Sequence, residues 1–246
     1  MKAQTAKIDR ALGYPYERPE TSYLFSGGIA KNLPGDIDLT DRQPVLACGS
    51  NGAPEQLLRK YGARSDIAIP VTAATMSDIA CTYSAHFSSY GSIAAALCTV
   101  PGIESRVHIT WLTEAELQRM HETEAIGMNY HFAHLEGVTI QCEATGPIKN
   151  LHAYISLRGS LLLDGKPVLL KGIPAKKTHL LKLDQRAMQE EIRRRLAPDT
   201  ALEDFILENI SNRLTRLKRT AMISQKTEPF IHSGITVLFP NAPYLD

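Results

Sequence analysis

Cysteine is scarce in this chain, and the few present form no pattern. Its 246 residues hold four, Cys48, Cys81, Cys98 and Cys142, far apart and beside apolar stretches. None is spaced as Cys-x-x-Cys, which argues against zinc-ribbon and thioredoxin-type chemistry and leaves buried free thiols as the expected state. No run of about eighteen apolar residues occurs, so no membrane-crossing helix is expected. The first ten residues lack the apolar core of an export signal, and the expected compartment is the cytoplasm. Neither a Gly-x-Ser-x-Gly elbow nor a His-Glu-x-x-His run is present. An excess of charge is missing too: the net charge is +1, which points to no polyanionic partner.

What remains is ordinary for a globular protein, 43% hydrophobic and 22% charged residues. The length suffices for one domain of about 150 residues with extensions. Residues 1 to 42, rich in Pro, Gly, Tyr and Asp, read as an irregular N-terminal arm whose rings, Tyr14, Tyr16, Tyr23 and Phe25, pack onto the body. Residues 43 to 175 read as strands with two short helices. Val45 to Cys48 is a compact strand, and Pro54 begins a helix with Leu57, Leu58 and Tyr61 inward. Val107, Ile109 and Trp111 alternate with Arg106, His108 and Thr110, the period of a half-buried strand. Thr113 and Glu116 form a capping box opening a helix that turns Leu117 and Met120 inward. Strands follow at Val138 to Cys142 and Leu151 to Leu157, then an Asp164-Gly165 hairpin. The class is α+β, with a small mixed sheet or barrel.

Residues 176 to 246 read as a helical extension. A helix from about Leu183 to Leu196 precedes one long amphipathic helix, with Leu202, Ile206, Ile210, Leu214, Leu217 and Ala221 on its inner face and a second capping box at Thr200 to Glu203. Its arginines are balanced by Glu190, Glu191, Glu203, Asp204 and Glu208, so they read as a solvated face with no nucleic-acid partner.

Three clusters could carry chemistry. His121-x-x-Glu124 with His131-x-x-His134 supplies metal-binding side chains, but residues three apart on a strand face opposite ways, and no metal is expected. Ser84 with His86 is a weak serine-hydrolase pattern. The third is the turn Cys48-Gly49-Ser50-Asn51-Gly52 with the acid Glu124: glycines let backbone N–H groups converge on an oxyanion or carboxylate, and a carboxylate can move protons.

Val45-Leu-Ala-Cys-Gly-Ser-Asn51 resembles the Tyr-Gly-Ser-Asn loop of the γ-glutamylcyclotransferase-like family. Gly91 to Leu97, Val107 to Trp111 and Leu117 to Glu124 follow in that family's order, and Tyr130 follows the acid, so the resemblance spans roughly residues 44 to 143. It implies a γ-glutamylcyclotransferase-like fold with Glu124 as catalytic carboxylate. Cys48, Gly49, Ser50, Asn51, Gly52 and Tyr130 would then bind the substrate. The implied reaction is internal aminolysis of a small-molecule γ-glutamyl amide, releasing 5-oxoproline and an amine or amino acid, with no cofactor. Cys48 in place of the loop tyrosine, Gly52 in place of an aliphatic residue and Met120-His121 in place of Leu-Asp depart from the pattern. The alternative is a non-catalytic binding or regulatory module on the same fold. The arm and the C-terminal helices remain to cover the pocket or to form a homodimer interface.

Overall fold

In the computed structural model, residues 2–239 are described. Helix α1 (Lys2–Leu12), strands β1 (Tyr23–Ser26) and β2 (Ile29–Asn32), and β3 (Gln43–Ala47) come first. A 3-10 turn (Ser50–Gly52) leads into α2 (Pro54–Tyr61), then β4 (Ala68–Phe87), β5 (Ile93–Leu112), α3 (Glu114–Glu122), β6 (Tyr130–Cys142) and β7 (Gly146–Ser156). Short strands β8 (Ser160–Leu163), β9 (Lys166–Pro167), β10 (Leu169–Leu170), β11 (Ala175–Lys176) and β12 (Lys182–Leu183) follow. Helices α4 (Gln185–Leu196), α5 (Leu202–Ser211) and α6 (Arg213–Ile223) and strands β13 (Thr227–Glu228) and β14 (Ile235–Phe239) complete the order.

Five strands close on themselves. β4 pairs β5, β5 pairs β3, β3 pairs β7, β7 pairs β6, and β6 returns to β4; only β3 with β7 is parallel. Closure leaves these five with few free edges to protect. The α+β class is therefore a helix-decorated small barrel.

β4 and β5 are 20 residues each. Straight, each would run roughly 65 Å, longer than a small domain is wide. Instead the pairing shifts between Ser77 and Ile79. There Asp78 adopts a left-handed φ of 62° and its carboxylate accepts from Gly102 N at 2.6 Å. A bulge of this kind bends the strand and re-aims the residues beyond it. One half of the hairpin thus belongs to the barrel, and the other projects under the C-terminal helices.

Those helices pack on the projecting half. Phe205 is fully buried and meets Phe87 edge-on at 5.8 Å, a burial worth about 2 kcal/mol. Arg219 lies over the Phe205 ring at 4.1 Å and donates to Phe205 O and Asn209 Oδ1. α1 joins the same layer through Ala11, beside Leu202 and Ile206.

Several expectations need correction. The arm is regular in two places, α1 and the β1–β2 hairpin, whose Gly27-Gly28 turn has both φ angles positive and whose β1 pairs with β4; a hairpin this short offers little period to read. The single long C-terminal helix is two. Asn212 breaks it, with φ −117° and ψ 98°, and its side chain accepts from Thr215 N at 3.1 Å to cap α6. The break shifts the periodicity, leaving Leu214 71% and Leu217 43% exposed while Arg219 and Thr220 are buried. α5 is preceded by Ala201 with no side-chain cap, so the Thr200 capping box does not form. Leu58 is exposed while Leu57 and Tyr61 are buried. The stretch Val107 to Trp111 is buried on both faces, His108 and Thr110 included. The Thr113 capping box, inward Leu117 and Met120, the α4 helix and the Asp164-Gly165 turn are as expected.

Candidate functional site

Glu124 sits just past the end of α3, where Glu124 N donates to His121 O at 3.2 Å. The loop after β3 faces it. Both line a cavity of about 250 Å³, the loop through Cys48, Gly49, Ser50 and Asn51, along with Tyr130 among others. Gly52 is not in that lining: its carbonyl accepts from the Tyr23 hydroxyl at 2.9 Å, and a Cβ there would crowd the His108 side chain.

The carboxylate is not alone. Glu124 Oε1 accepts from Asn51 Nδ2 at 2.9 Å and from Lys60 Nζ at 2.5 Å, and Lys60 also donates to Thr123 Oγ1 at 2.7 Å. The side chains of Lys60 and Glu124 are 3% and 15% exposed. Sequence reasoning missed Lys60, because a lysine on a helix ordinarily lies in solvent. Pairing at this depth compensates two charges that would be costly to bury singly. It engages one oxygen of Glu124; among the described residues nothing bonds Oε2.

The loop supplies donors and one unused acceptor. As the first turn of a 3-10 helix, the N–H groups of Ser50 and Asn51 have no carbonyl a turn earlier to meet. Asn51 Oδ1 is buried without a hydrogen-bond partner among the described residues. Gly49 is required by close approach: a Cβ there would collide with the Tyr14 hydroxyl, which the N-terminal arm inserts beside the loop. Tyr14 was expected only to pack.

Tyr130 opens β6 and donates its hydroxyl to Ala95 O at 2.9 Å. Burial first, then the Glu124 charge, raises its phenol well above the ordinary range. Cys48 follows β3 and donates to Ala96 O at 3.3 Å. The adjoining Cys81 thiol, then burial, pushes its own thiol up, so it is held as a protonated thiol and not as a nucleophile.

The far wall is cationic. Arg158, Arg213 and Arg216 line it, with Leu217 and Thr220, so of the C-terminal helices α6 borders this cavity. Arg158 Nε is buried without a partner, and Arg216 is lowered by burial and by neighbouring Arg213.

Ser84 and His86 do meet, Oγ to Nδ1 at 2.8 Å, with Ser156 Oγ at 2.7 Å from Ser84. Ser84 is fully buried and only His86 reaches the cavity, so the serine faces no substrate. Burial and then Arg158 pull His86 down to about 3, which keeps the ring neutral. His121 turns away to Tyr154, Nδ1 to hydroxyl at 2.8 Å. Among the described residues no group of three or more His, Cys, Asp and Glu is placed to hold a metal, and none of their helices is long and apolar enough to cross a membrane.

No family model and no curated protein matches this sequence. Among solved structures, the chain is similar to a gamma-glutamyl cyclotransferase. The identity is 13%, over 80% of this chain and 94% of that one, with a TM-score of 0.38. It is also similar to an uncharacterized protein from Homo sapiens (14% identity, 81% and 95% coverage, TM-score 0.38). A third likeness is to a protein from Arabidopsis thaliana solved in solution (16% identity, 49% and 72% coverage, TM-score 0.36). These are likenesses of the chain's course and assign it no activity.

Proposed function

We propose that this cavity cleaves a γ-glutamyl amide by internal aminolysis, giving 5-oxoproline and a free amine or amino acid. The observation that carries the reading is Glu124 turned into a cavity toward the Gly49 to Asn51 loop, one carboxylate oxygen fixed and the other open. The substrate's α-amine must lose a proton before attacking its own γ-carbonyl, and Glu124 Oε2 is the acceptor for it. The nearby Lys60 ammonium disfavours a second positive charge, which favours the neutral amine. Asn51 Oδ1 accepts from that amine and orients it. As the C–N bond forms, the carbonyl oxygen becomes negative and the N–H groups of the loop stabilise it. Glu124 then returns the proton to the departing nitrogen. The α-carboxylate of the glutamyl group is met by the cationic wall, Arg158 foremost. Ring closure already joins nucleophile and carbonyl in one molecule, so holding the folded conformer is the larger task.

Release of 5-oxoproline from a panel of γ-glutamyl amines, amino acids and peptides tests the reading. Turnover of any member supports it, and no release from any contradicts it. The Lys60 pairing favours a second reading, a binding module that holds the same ligands without turnover. Thermal stabilisation by 5-oxoproline or glutamate, with no release from the panel, would identify that case.

A further inference from the structure

A second cavity lies on the other side of Tyr14, under arm residues 12–21, and at about 960 Å³ it is the roomier of the two. That is the size range of small-molecule sites. Its walls are unusual in the polar groups they leave unsatisfied. His108 is 2% exposed; neither ring nitrogen has a well-formed hydrogen bond among the described residues, although the Pro19 and Thr21 backbone lies close enough to act on the ring as weak acceptors. Arg18 donates one Nη2 bond to Gly172 O at 3.1 Å, while its Nη1 is buried with no partner. No carboxylate pairs with Arg18 among the described residues. A half-buried guanidinium whose Nη1 is buried without an acceptor among the described residues, beside a buried imidazole lowered by burial and then by the Arg18 charge, is a demand for an anion.

The surrounding charges narrow the class. Arg106 is engaged by Glu143, Glu104 by Lys177, and Asp184 caps α4. Exposed Glu17 and Glu20 stand at the rim and repel a polyanion. The cavity is also lined by Tyr14, Pro15, Tyr16, Tyr83 and Pro174, which suit an apolar body. We propose that this cavity binds an amphipathic monocarboxylate, its carboxylate on Arg18 Nη1 and the His108 N–H and its aryl or short alkyl body against the tyrosines and prolines.

Calorimetric titration of the full chain with 4-phenylbutyrate, and with 4-phenylbutanol as the uncharged match, tests this. The acid is expected to bind at least about tenfold more tightly than the alcohol, and Arg18→Gln to weaken the acid by about tenfold. Glu124→Gln, which alters only the first cavity, is expected to leave the affinity unchanged. No binding of the acid at millimolar concentration overturns the proposal. Equal binding of acid and alcohol, unchanged binding by Arg18→Gln, or loss of binding by Glu124→Gln does the same. Should Arg18→Gln not fold, the His108 ring proton signals of the unmodified protein decide: they shift with the acid and stay with the alcohol, and a signal that ignores the acid sinks the assignment.

Discussion

The two cavities share Tyr14 as a wall and differ in how their buried polar groups are satisfied. In the first, the carboxylate of Glu124 has Lys60 and Asn51 on one oxygen, and the leftover groups are an acceptor, Asn51 Oδ1, beside loop donors and Arg158 Nε. In the second, the leftovers are Arg18 Nη1 and the His108 ring, and no carboxylate of the described residues pairs with either. Unsatisfied groups describe the missing partner. On the proposed readings, the first cavity suits a ligand that carries an amine and a carbonyl as well as a carboxylate, the second a ligand whose one polar group is a carboxylate.

The sharpest way to break that contrast is at Glu124. Glu124→Gln should lower 5-oxoproline release by about a thousandfold, the size of a lost general base, with 4-phenylbutyrate affinity kept and the melting temperature lowered, because the Lys60 ammonium is left buried without its carboxylate. Loss of both activities would merge the two cavities into one site. Next is Lys60→Met, which leaves a poorly exposed carboxylate without its cation and should cost about 3 kcal/mol in urea unfolding. A neutral result would mean that the pair contributes little.

Histidine titration sharpens the comparison further. Burial with Arg158 holds His86 near 3, and burial with Arg18 and Arg106 holds His108 near 4, against an ordinary value of 6.5. Both rings are neutral in the folded chain, while the unfolded chain takes up protons below 6.5. Their contribution to stability is therefore complete above that pH and is lost as pH falls toward the folded values. Unfolding midpoints should decline across that window. Adding 4-phenylbutyrate should raise the His108 titration point, seen by proton NMR, and leave His86 unmoved. The smallest effect is expected from Tyr14→Phe, about threefold in kcat/KM, because it removes only a hydroxyl beside Gly49.

The site was legible in outline because its parts are local. A glycine turn after a strand and an acid after a capped helix can be read from a few consecutive residues, and the Thr113 capping box marked the start of α3, the helix that leads to Glu124. Lys60 was not legible as a partner, since a helical lysine ordinarily lies in solvent and only the packing of α2 on α3 brings it to the carboxylate. Tyr14 and the far-wall arginines come from segments far away in sequence, which no local pattern connects to the loop. The barrel itself depends on pairings such as β3 with β7, remote contacts that periodicity cannot specify. Asn212 shows a different limit: the apolar spacing ran across it unbroken, and the break is set by its own side chain capping α6.

The most direct test of the central claim is a structure of the Glu124→Gln chain with an uncleaved γ-glutamyl compound bound. The account predicts the γ-carbonyl oxygen within hydrogen-bond distance of the Ser50 and Asn51 N–H groups and the α-nitrogen beside both Asn51 Oδ1 and the side chain at position 124. A glutamyl group lodged elsewhere, or one whose α-nitrogen points away from position 124, would contradict it.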